Sequence, residues 1–214
     1  MAASGTAAAD KRRVILDAAM RVFARQGFHT CRVSDIADEA GVAYGLVYHY
    51  FSSKDEILDT MFLERWNVML AAIAEADRTE RSPRDKLGAI AGFIVDSYRY
   101  EPELMKVIVV EVTRAANTFG RTHLEKIREA YAKIAGIVER AQADGLFRTE
   151  ISPEFGALAF YGSIEQVLTR WIFDRDAVDE DELEGAKRMI VETICRGLER
   201  DTAPAASSVA SMSD

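Results

Sequence analysis

Residues 34–56 (SDIADEAGVAYGLVYHYFSSKDE) constrain the fold more than any other stretch of this 214-residue chain. Their pattern predicts two short helices around a turn at Gly41, because glycine readily adopts the left-handed backbone that a tight turn requires. A small residue, Ala37, lies where the helices would cross, and Val42 and Val47 supply apolar contacts between them. This arrangement is typical of a helix-turn-helix, which places side chains against base edges in the major groove. An ordinary pair of core helices remains the alternative.

The remaining sequence predicts an all-α fold of about nine helices, with no convincing strand pattern. Ser82-Pro83 and Ser152-Pro153 each read as an N-cap followed by a first helical residue. Ser53 and Glu56 have the spacing of a capping box at the start of a long helix. Outside the helix-turn-helix and this long helix, the predicted helices span residues 11–26, 83–100, 103–117, 121–143, 153–174 and 180–199.

These elements predict a small N-terminal domain of three helices and a larger C-terminal helical bundle. The predicted divisions are a disordered N-terminus at 1–9, a helix-turn-helix domain at 10–53, a ligand-binding and dimerisation domain at 54–200, and a disordered tail at 201–214. The hydrophobic fraction of 49% and charged fraction of 29% are ordinary for a globular protein.

The composition also predicts a cytoplasmic protein. No signal-peptide segment opens the chain, and no apolar run approaches the ~20 residues needed to span a bilayer. The two cysteines, Cys31 and Cys195, are far apart and suit a reducing compartment.

The net charge of −8 excludes a general polycation, but residues 10–32 hold six basic side chains against two acidic ones. This basic first helix predicts either a local contact with phosphates or a solvated helix face.

Four segments resemble the tetracycline-repressor (TetR) family of bacterial transcription regulators over residues 11–65: RQGF, VSDIADEAGVA, the aromatic run YHYF and SSKDEIL. The resemblance implies that one set of side chains faces base edges and another binds phosphates. The first set is Ala43, Tyr44, Gly45 and Leu46, the second is Tyr48, His49 and Lys54, and Arg32 and Ser34 complete the predicted DNA contacts. Tyr44 and Leu46 replace a frequent lysine and threonine of the family. Leu46 cannot hydrogen-bond a base, so we expect it to touch thymine methyl groups or to pack inward.

The last two predicted helices combine small and aliphatic residues, which suits a four-helix interface between two copies. A helix-turn-helix reads a palindrome only as a pair, which favours a homodimer. The predicted interface residues are Ile164, Leu168, Trp171, Leu183, Ile190 and Ile194. The alternative is that these side chains pack in the core of one monomer.

Residues 93–131 mix apolar side chains with arginines, which suits a pocket for an amphiphile that bears anionic groups. The predicted ligand-binding residues are Phe93, Tyr98, Met105, Val109, Arg114, Leu124, Arg128, Tyr131, Tyr161 and Glu165. Taken one at a time, each of them is more simply explained as plain core or plain surface than as a ligand contact.

Residues 100–175, including VVEVTRAAN and FYGSIEQVLTRWIFD, are similar to the fatty-acid-degradation repressors of the TetR type. That resemblance implies a repressor released from operator DNA by long-chain acyl-CoA, with Arg114 at a position where the subfamily has arginine. A TetR-type repressor that senses a drug-like hydrophobic molecule and controls an efflux gene is the alternative, because Glu111 and Glu165 would suit a cationic ligand.

An enzyme is not expected. A di-metal centre in a helical bundle needs Glu-x-x-His pairs, and none of the three histidines completes one. The chain has no phosphate-binding glycine loop and no arrangement that suits nucleophilic catalysis. We therefore expect no metal and no cofactor apart from the effector.

Overall fold

The computed structural model of the protein describes residues 3–112, 121–174 and 178–199. The elements are α1 (Ala3–Gln26), α2 (Val33–Ala40), α3 (Tyr44–Tyr50), α4 (Lys54–Arg78), α5 (Pro83–Tyr100), α6 (Pro102–Lys106), a π-helical segment (Val107–Val112), α7 (Arg121–Ala143), α8 (Pro153–Phe173) and α9 (Glu180–Leu198). The predicted all-α class is confirmed. Within the described ranges, the sole departure is an isolated antiparallel bridge between Phe147 and Glu199. No helix in these ranges is both long and apolar enough to cross a membrane.

The predicted helix starts are confirmed at three serines. The hydroxyl oxygens of Ser53, Ser82 and Ser152 each accept a hydrogen bond from the backbone N–H three residues later, at 3.1–3.2 Å. The capping box at α4 is modified, because the Glu56 carboxylate accepts from the backbone and hydroxyl of Ser52 instead of from the backbone of Ser53. Such caps satisfy backbone donors that have no partner within the helix.

Two boundaries differ from prediction. The first helix begins at Ala3, so residues 3–9, which were expected to be disordered, continue α1. Alanine has the highest helix propensity and is frequent there, which explains the extension. The helix expected at 103–117 is instead the short α6 followed by the π-helical segment. Its predicted end at 113–117 and the predicted tail at 201–214 lie outside the described residues.

Two apolar cores are stacked along α4. The first, which we call the N-terminal core, combines buried residues of α1, α2 and α3 with α4 as far as Met61, and it includes Val107. The second, the C-terminal core, begins at Phe62 and takes in α5, α6, α7, α8 and α9. We call the parts of the protein built around these two cores the N-terminal body and the C-terminal body. The single long helix α4 contributes to both bodies, and Val107, which follows α6, packs in the N-terminal core.

Candidate DNA interface and ligand cavity

The α2–α3 turn has the predicted geometry. Gly41 has φ +63°, and its N–H donates to the Asp38 carbonyl at 3.1 Å, while the Val42 N–H donates to the Ala37 carbonyl at 3.0 Å. Ala37 and Val47 are buried between the helices. The turn therefore fixes α3 across α2, as in a helix-turn-helix.

The outer face of α3 and its N-cap present most of the side chains that were predicted to contact bases or phosphates. Ala43, Tyr44, Gly45, Tyr48 and His49 are exposed. The hydroxyl of Tyr44 lies 3.3 Å from that of Tyr48, and the two rings meet edge to face with centroids 5.1 Å apart. Nothing lies within 4 Å of the place that a Cβ on Gly45 would occupy, so the backbone is open to a close approach by DNA.

Leu46 is half-buried, so its contact with thymine methyl groups and its inward packing both stay predictions. Arg32 is exposed at the N-cap of α2, where its N–H donates to Asp35 at 2.8 Å, and Ser34 is half-buried in the first turn. Both residues, together with Tyr44 and Tyr48, line a shallow groove between α2, α3 and the start of α4. The structure thus brings the predicted DNA-contacting residues of α2 and α3 together on one surface.

The ammonium of Lys54 is hydrogen-bonded within the protein, and its role as a phosphate clamp stays a prediction. Its ammonium donates to the carbonyls of Phe28, Cys31 and His29 at 2.7, 3.1 and 3.3 Å, and lies 4.7 Å from the centre of the Phe28 ring. An ammonium has three donors, and all three are used here. This lysine fixes the loop after α1 against the start of α4.

The basic face of α1 is largely neutralised within the protein. Four of its arginines form ion pairs: Arg12 with Glu64, Arg13 with Asp17, and Arg21 and Arg25 with Glu39. Hydrogen bonds from Arg21 and Arg25 lower the pKa of Glu39. Three of these arginines, Arg12, Arg21 and Arg25, join α1 to α2 or α4, whereas Arg13 pairs within α1.

A cavity of about 210 Å³ lies between α4, α5, α6, the π-helical segment, α7 and α8. Six of the predicted ligand-binding residues line it: Met105, Val109, Leu124, Tyr131, Tyr161 and Glu165. Its other lining residues were not predicted for it: Arg65, Trp66, Met69, Ile94, Ile108, His123, Ile127, Ile164 and Leu168.

Three predicted ligand-binding residues lie outside this cavity. Phe93 packs beneath the guanidinium of Arg65, whose Cζ is 5.2 Å from the ring centre. The Tyr98 hydroxyl lies 3.4 Å from the Trp171 carbonyl, and Arg128 is exposed. Arg114 and the side chain of Glu111 lie outside the described residues.

The cavity combines apolar walls with a few half-buried polar side chains. Burial raises the pKa of Tyr161, Tyr131 and Glu165, and the charge of Glu165 raises the pKa of both phenols further. Burial also lowers the pKa of Arg65, and Glu101, 3.9 Å away, counteracts that change. Arg65 also lines a groove of about 460 Å³ between α1, α4 and α6, so it stands between the two spaces.

One short segment touches both the cavity and the N-terminal core. Met105 and Ile108 line the cavity. Between them, Lys106 donates to the carbonyl of Ala24 at the end of α1, at 2.8 Å, and Val107 is 1% exposed within the N-terminal core. A second link runs through α4, because cavity-lining His123 lies 3.4 Å from Asp59.

Most of the predicted dimer residues are buried within the monomer, which is the alternative that the sequence left open. Five of the six are at most 6% exposed within the monomer: Ile164, Leu168, Trp171, Leu183 and Ile190. They form the inward stripe of α8 and α9, and only Ile194 is half-buried. The opposite faces carry the exposed apolar residues: Phe155 (62%), Leu158 (53%), Phe173 (65%) and Met189 (67%).

Comparison with known proteins fits both bodies of the structure. Residues 15–61 match the family described as "Bacterial regulatory proteins, tetR family", and residues 83–194 match "Tetracyclin repressor-like, C-terminal domain". The chain belongs to the TetR family. The members of this family are regulatory proteins, and the helix-turn-helix described above is the N-terminal domain of the family.

This TetR-family protein is similar in sequence to two proteins whose names describe them as a regulator and a repressor. It is 26% identical over 185 residues to the fatty acid metabolism regulator protein of Bacillus subtilis, which covers 86% of this chain and 93% of that protein. It is also 26% identical over 162 residues to the transcriptional repressor KstR2 of Rhodococcus jostii, with 75% of this chain and 79% of the repressor covered.

Solved structures show the same fold. FadR of Bacillus subtilis, in complex with stearoyl-CoA, superposes with a TM-score of 0.74 at 23% identity and covers 86% of this chain and 98% of FadR. AibR, in complex with isovaleryl coenzyme A and operator DNA, superposes with a TM-score of 0.70 at 19% identity and covers 86% of this chain and 97% of AibR.

Proposed function

We propose that this TetR-family protein is a cytoplasmic transcriptional repressor that binds operator DNA as a homodimer and is released by an acyl-CoA. The observation that carries the proposal is the α6 and π-helical segment, which lines the ligand cavity with some residues and enters the N-terminal core with others. An effector in the cavity therefore contacts the element that supports the helix-turn-helix.

The effector class is supported by the cavity and by the relatives. Saturated chains need apolar walls, and α4, α5, α7 and α8 provide them through residues such as Trp66, Met69, Ile94 and Ile127. Two structures with this fold hold coenzyme A thioesters, and one relative is named for fatty acid metabolism. A long-chain acyl group is the expected ligand. A cavity of ~150 Å³ holds one benzene ring, so the present one encloses about eight carbons, and a longer chain would pass Arg65 into the adjoining groove.

Operator binding is assigned to the exposed face of α3 and the groove beside it. Tyr44 and Leu46 would lie against base edges, while Tyr48 and His49 would donate to phosphates. A dimer presents two such helices to successive major grooves roughly 34 Å apart. We assign the dimer contact to the exposed apolar faces of α8 and α9, which include Leu158 and Met189.

Release follows from linkage between the two sites. An effector that fills the cavity displaces Met105 and Ile108, and Lys106 and Val107 carry that displacement to α1 and the N-terminal core. A hundredfold loss of operator affinity requires about 2.7 kcal/mol of coupling, which is ordinary for such switches. The same coupling requires operator DNA to weaken effector binding equally.

The test is the affinity of the protein for the DNA upstream of its own gene, at fixed salt. The additions are octanoyl-CoA, decanoyl-CoA, palmitoyl-CoA, free coenzyme A and free palmitate, each in a separate titration. Release by acyl-CoA, but not by coenzyme A or palmitate, is the expected result. Specific DNA binding that no acyl-CoA weakens would refute the effector, and the absence of specific binding would refute the repressor.

A cationic hydrophobic effector is the second candidate, as expected of a repressor that controls an efflux gene. Glu165 favours it, because this acidic side chain lies among the aromatic rings of Trp66, Tyr131 and Tyr161. Aromatic rings and a carboxylate both attract a cation. Calorimetry with ethidium and the protein alone separates the candidates, because a cation-sensing repressor would bind the dye. DNA is left out of this experiment because ethidium intercalates into any duplex.

A further inference from the structure

We infer that the effector is a hydroxylated acyl-CoA, whose hydroxyl group is bound inside the cavity by Tyr131, Tyr161 and Glu165. The inference rests on the proposed function and narrows it, because it concerns the acyl group of the effector. We call these three side chains the polar cluster of the cavity.

The polar cluster is built from two helices. Tyr161 and Glu165 are four residues apart on α8, so both point from the same face of the helix. Tyr131 approaches from α7, and its ring meets that of Tyr161 edge to face with centroids 5.3 Å apart. All three residues line the cavity beside the apolar side chains of Ile164 and Leu168.

The polar atoms of the cluster have no hydrogen-bond partner in the described part of the chain. Two other aromatic side chains with polar atoms are paired: the Tyr98 hydroxyl lies 3.4 Å from the Trp171 carbonyl, and the buried Trp171 indole donates to Glu182 at 2.9 Å. Covering a polar group with an apolar chain, without a replacement hydrogen bond, carries a substantial free-energy cost. A saturated acyl chain imposes that cost on the polar cluster, whereas the hydroxyl group of a hydroxylated chain supplies the replacement hydrogen bonds.

A hydroxyl group suits this set of donors and acceptors. It both donates and accepts, so it can pair with a phenol and with a carboxyl group at the same time. Burial raises the pKa of Glu165, and in either protonation state its carboxyl group can accept a hydrogen bond from a ligand hydroxyl. A cation would instead need the ionised form and would meet the positive charge of Arg65, which lines the same cavity.

The experiment compares ligands of equal chain length on the full-length protein. Decanoyl-CoA, β-hydroxydecanoyl-CoA and ω-hydroxydecanoyl-CoA are titrated by calorimetry, and each is tested for release of the upstream DNA. We expect at least one hydroxylated ligand to bind about tenfold more tightly than decanoyl-CoA, because a site built for a hydroxyl discriminates against the ligand that lacks it.

Variants separate a contact in the polar cluster from a general change in the cavity. Tyr161→Phe removes one hydroxyl and keeps the ring, and Glu165→Leu removes the carboxyl group. Both should reduce the preference for the hydroxylated ligand to about twofold or less, while decanoyl-CoA still binds. Glu165→Gln keeps a hydrogen-bonding group and should retain most of the preference. Tyr98→Phe is the matched control, because it removes a phenol hydroxyl outside the cavity and should leave the preference unchanged.

The outcomes distinguish this inference from the function on which it rests. Equal affinity of the native protein for all three ligands, with release of DNA by each, overturns the inference and leaves the acyl-CoA repressor intact. Failure of every acyl-CoA to bind or to release DNA overturns the proposed function. Tight binding of ethidium that Glu165→Gln abolishes overturns the inference in favour of a cationic effector.

Discussion

Removing the ammonium of Lys106 should weaken the coupling between the cavity and the DNA-binding body. This lysine lies between two cavity-lining residues, and its Nζ donates to the carbonyl of Ala24 at the end of α1, at 2.8 Å. The substitution Lys106→Met keeps the aliphatic stem and deletes only the hydrogen bond. The expected consequence is a smaller effector response, with the effector site itself unchanged.

The magnitude follows from the single bond that is lost. A hydrogen bond at a partly exposed position contributes about 1 kcal/mol, which corresponds to about a fivefold change in an equilibrium constant. If all of it belongs to the coupling, an effector that weakens operator binding a hundredfold in the native protein weakens it about twentyfold in the variant. Larger losses would require that Val107 also shifts out of the N-terminal core.

The assay is fluorescence anisotropy of a labelled upstream duplex at fixed salt, with and without saturating acyl-CoA. Calorimetry without DNA should give the same effector affinity for the variant and the native protein, within about twofold. Lys187→Met is the matched control, because Lys187 pairs with Asp96 at 2.6 Å and joins α9 to α5 inside the C-terminal body. An unchanged response in Lys106→Met, or an equal loss in Lys187→Met, would refute the role given to this link.

Three further substitutions test separate parts of the structure. Leu158→Asp, on the exposed face of α8, should convert the dimer to a monomer in size-exclusion chromatography with light scattering. Val68→Asp, on the exposed side of α4, is the control and should remain a dimer. A dimer in both variants would contradict the assigned interface. Lys54→Met should lower the free energy of unfolding in urea by about 2 kcal/mol, because three carbonyls lose a charged donor, and an unchanged urea midpoint would contradict this role. Hydrogen bonds from Arg21 and Arg25 lower the pKa of Glu39. The ionised carboxylate therefore stabilises the fold at pH values above the usual glutamate pKa, and this stabilisation is lost as the pH falls through the lowered pKa. The melting temperatures of Glu39→Gln and the native protein should therefore differ at neutral pH and converge on acidification, and a constant difference would contradict this.

Helix starts and the α2–α3 turn were predictable because their causes are local. Gly41 needs a left-handed backbone, and Ser82 and Ser152 each cap a helix whose first residue is proline, so each signal lies within a few residues of the structure that it specifies. The extension of α1 to Ala3 was missed because an alanine-rich end resembles a flexible tail as much as a helix.

The sequence did not decide between a dimer interface and the monomer core for a different reason. Helix α8 has apolar residues on two faces, one through Ile164 and Leu168 and the other through Phe155 and Leu158. Helical spacing identifies each face, but the choice of the inward one depends on α7 and α9, which are distant in sequence. The same limit explains why Arg65 and other α4 residues were not assigned to the cavity, whereas six of the ten predicted ligand-binding residues line it.

The link between the two bodies depends on how a short helix distributes its side chains. Consecutive residues of a helix point about 100° apart, so Met105 and Ile108 share one face while Lys106 and Val107 point elsewhere. Here the first pair lines the cavity and the second pair contacts α1 and the N-terminal core. Because one segment is packed against both bodies, it cannot rotate or shift to admit a ligand without changing its contacts with α1. The wider turn that follows at Val107–Val112 is a type of helix often found at functional sites, and it places the departure from regular α-helix at the same point. A ligand response is therefore built into the packing of this segment, whatever acyl group the cavity selects.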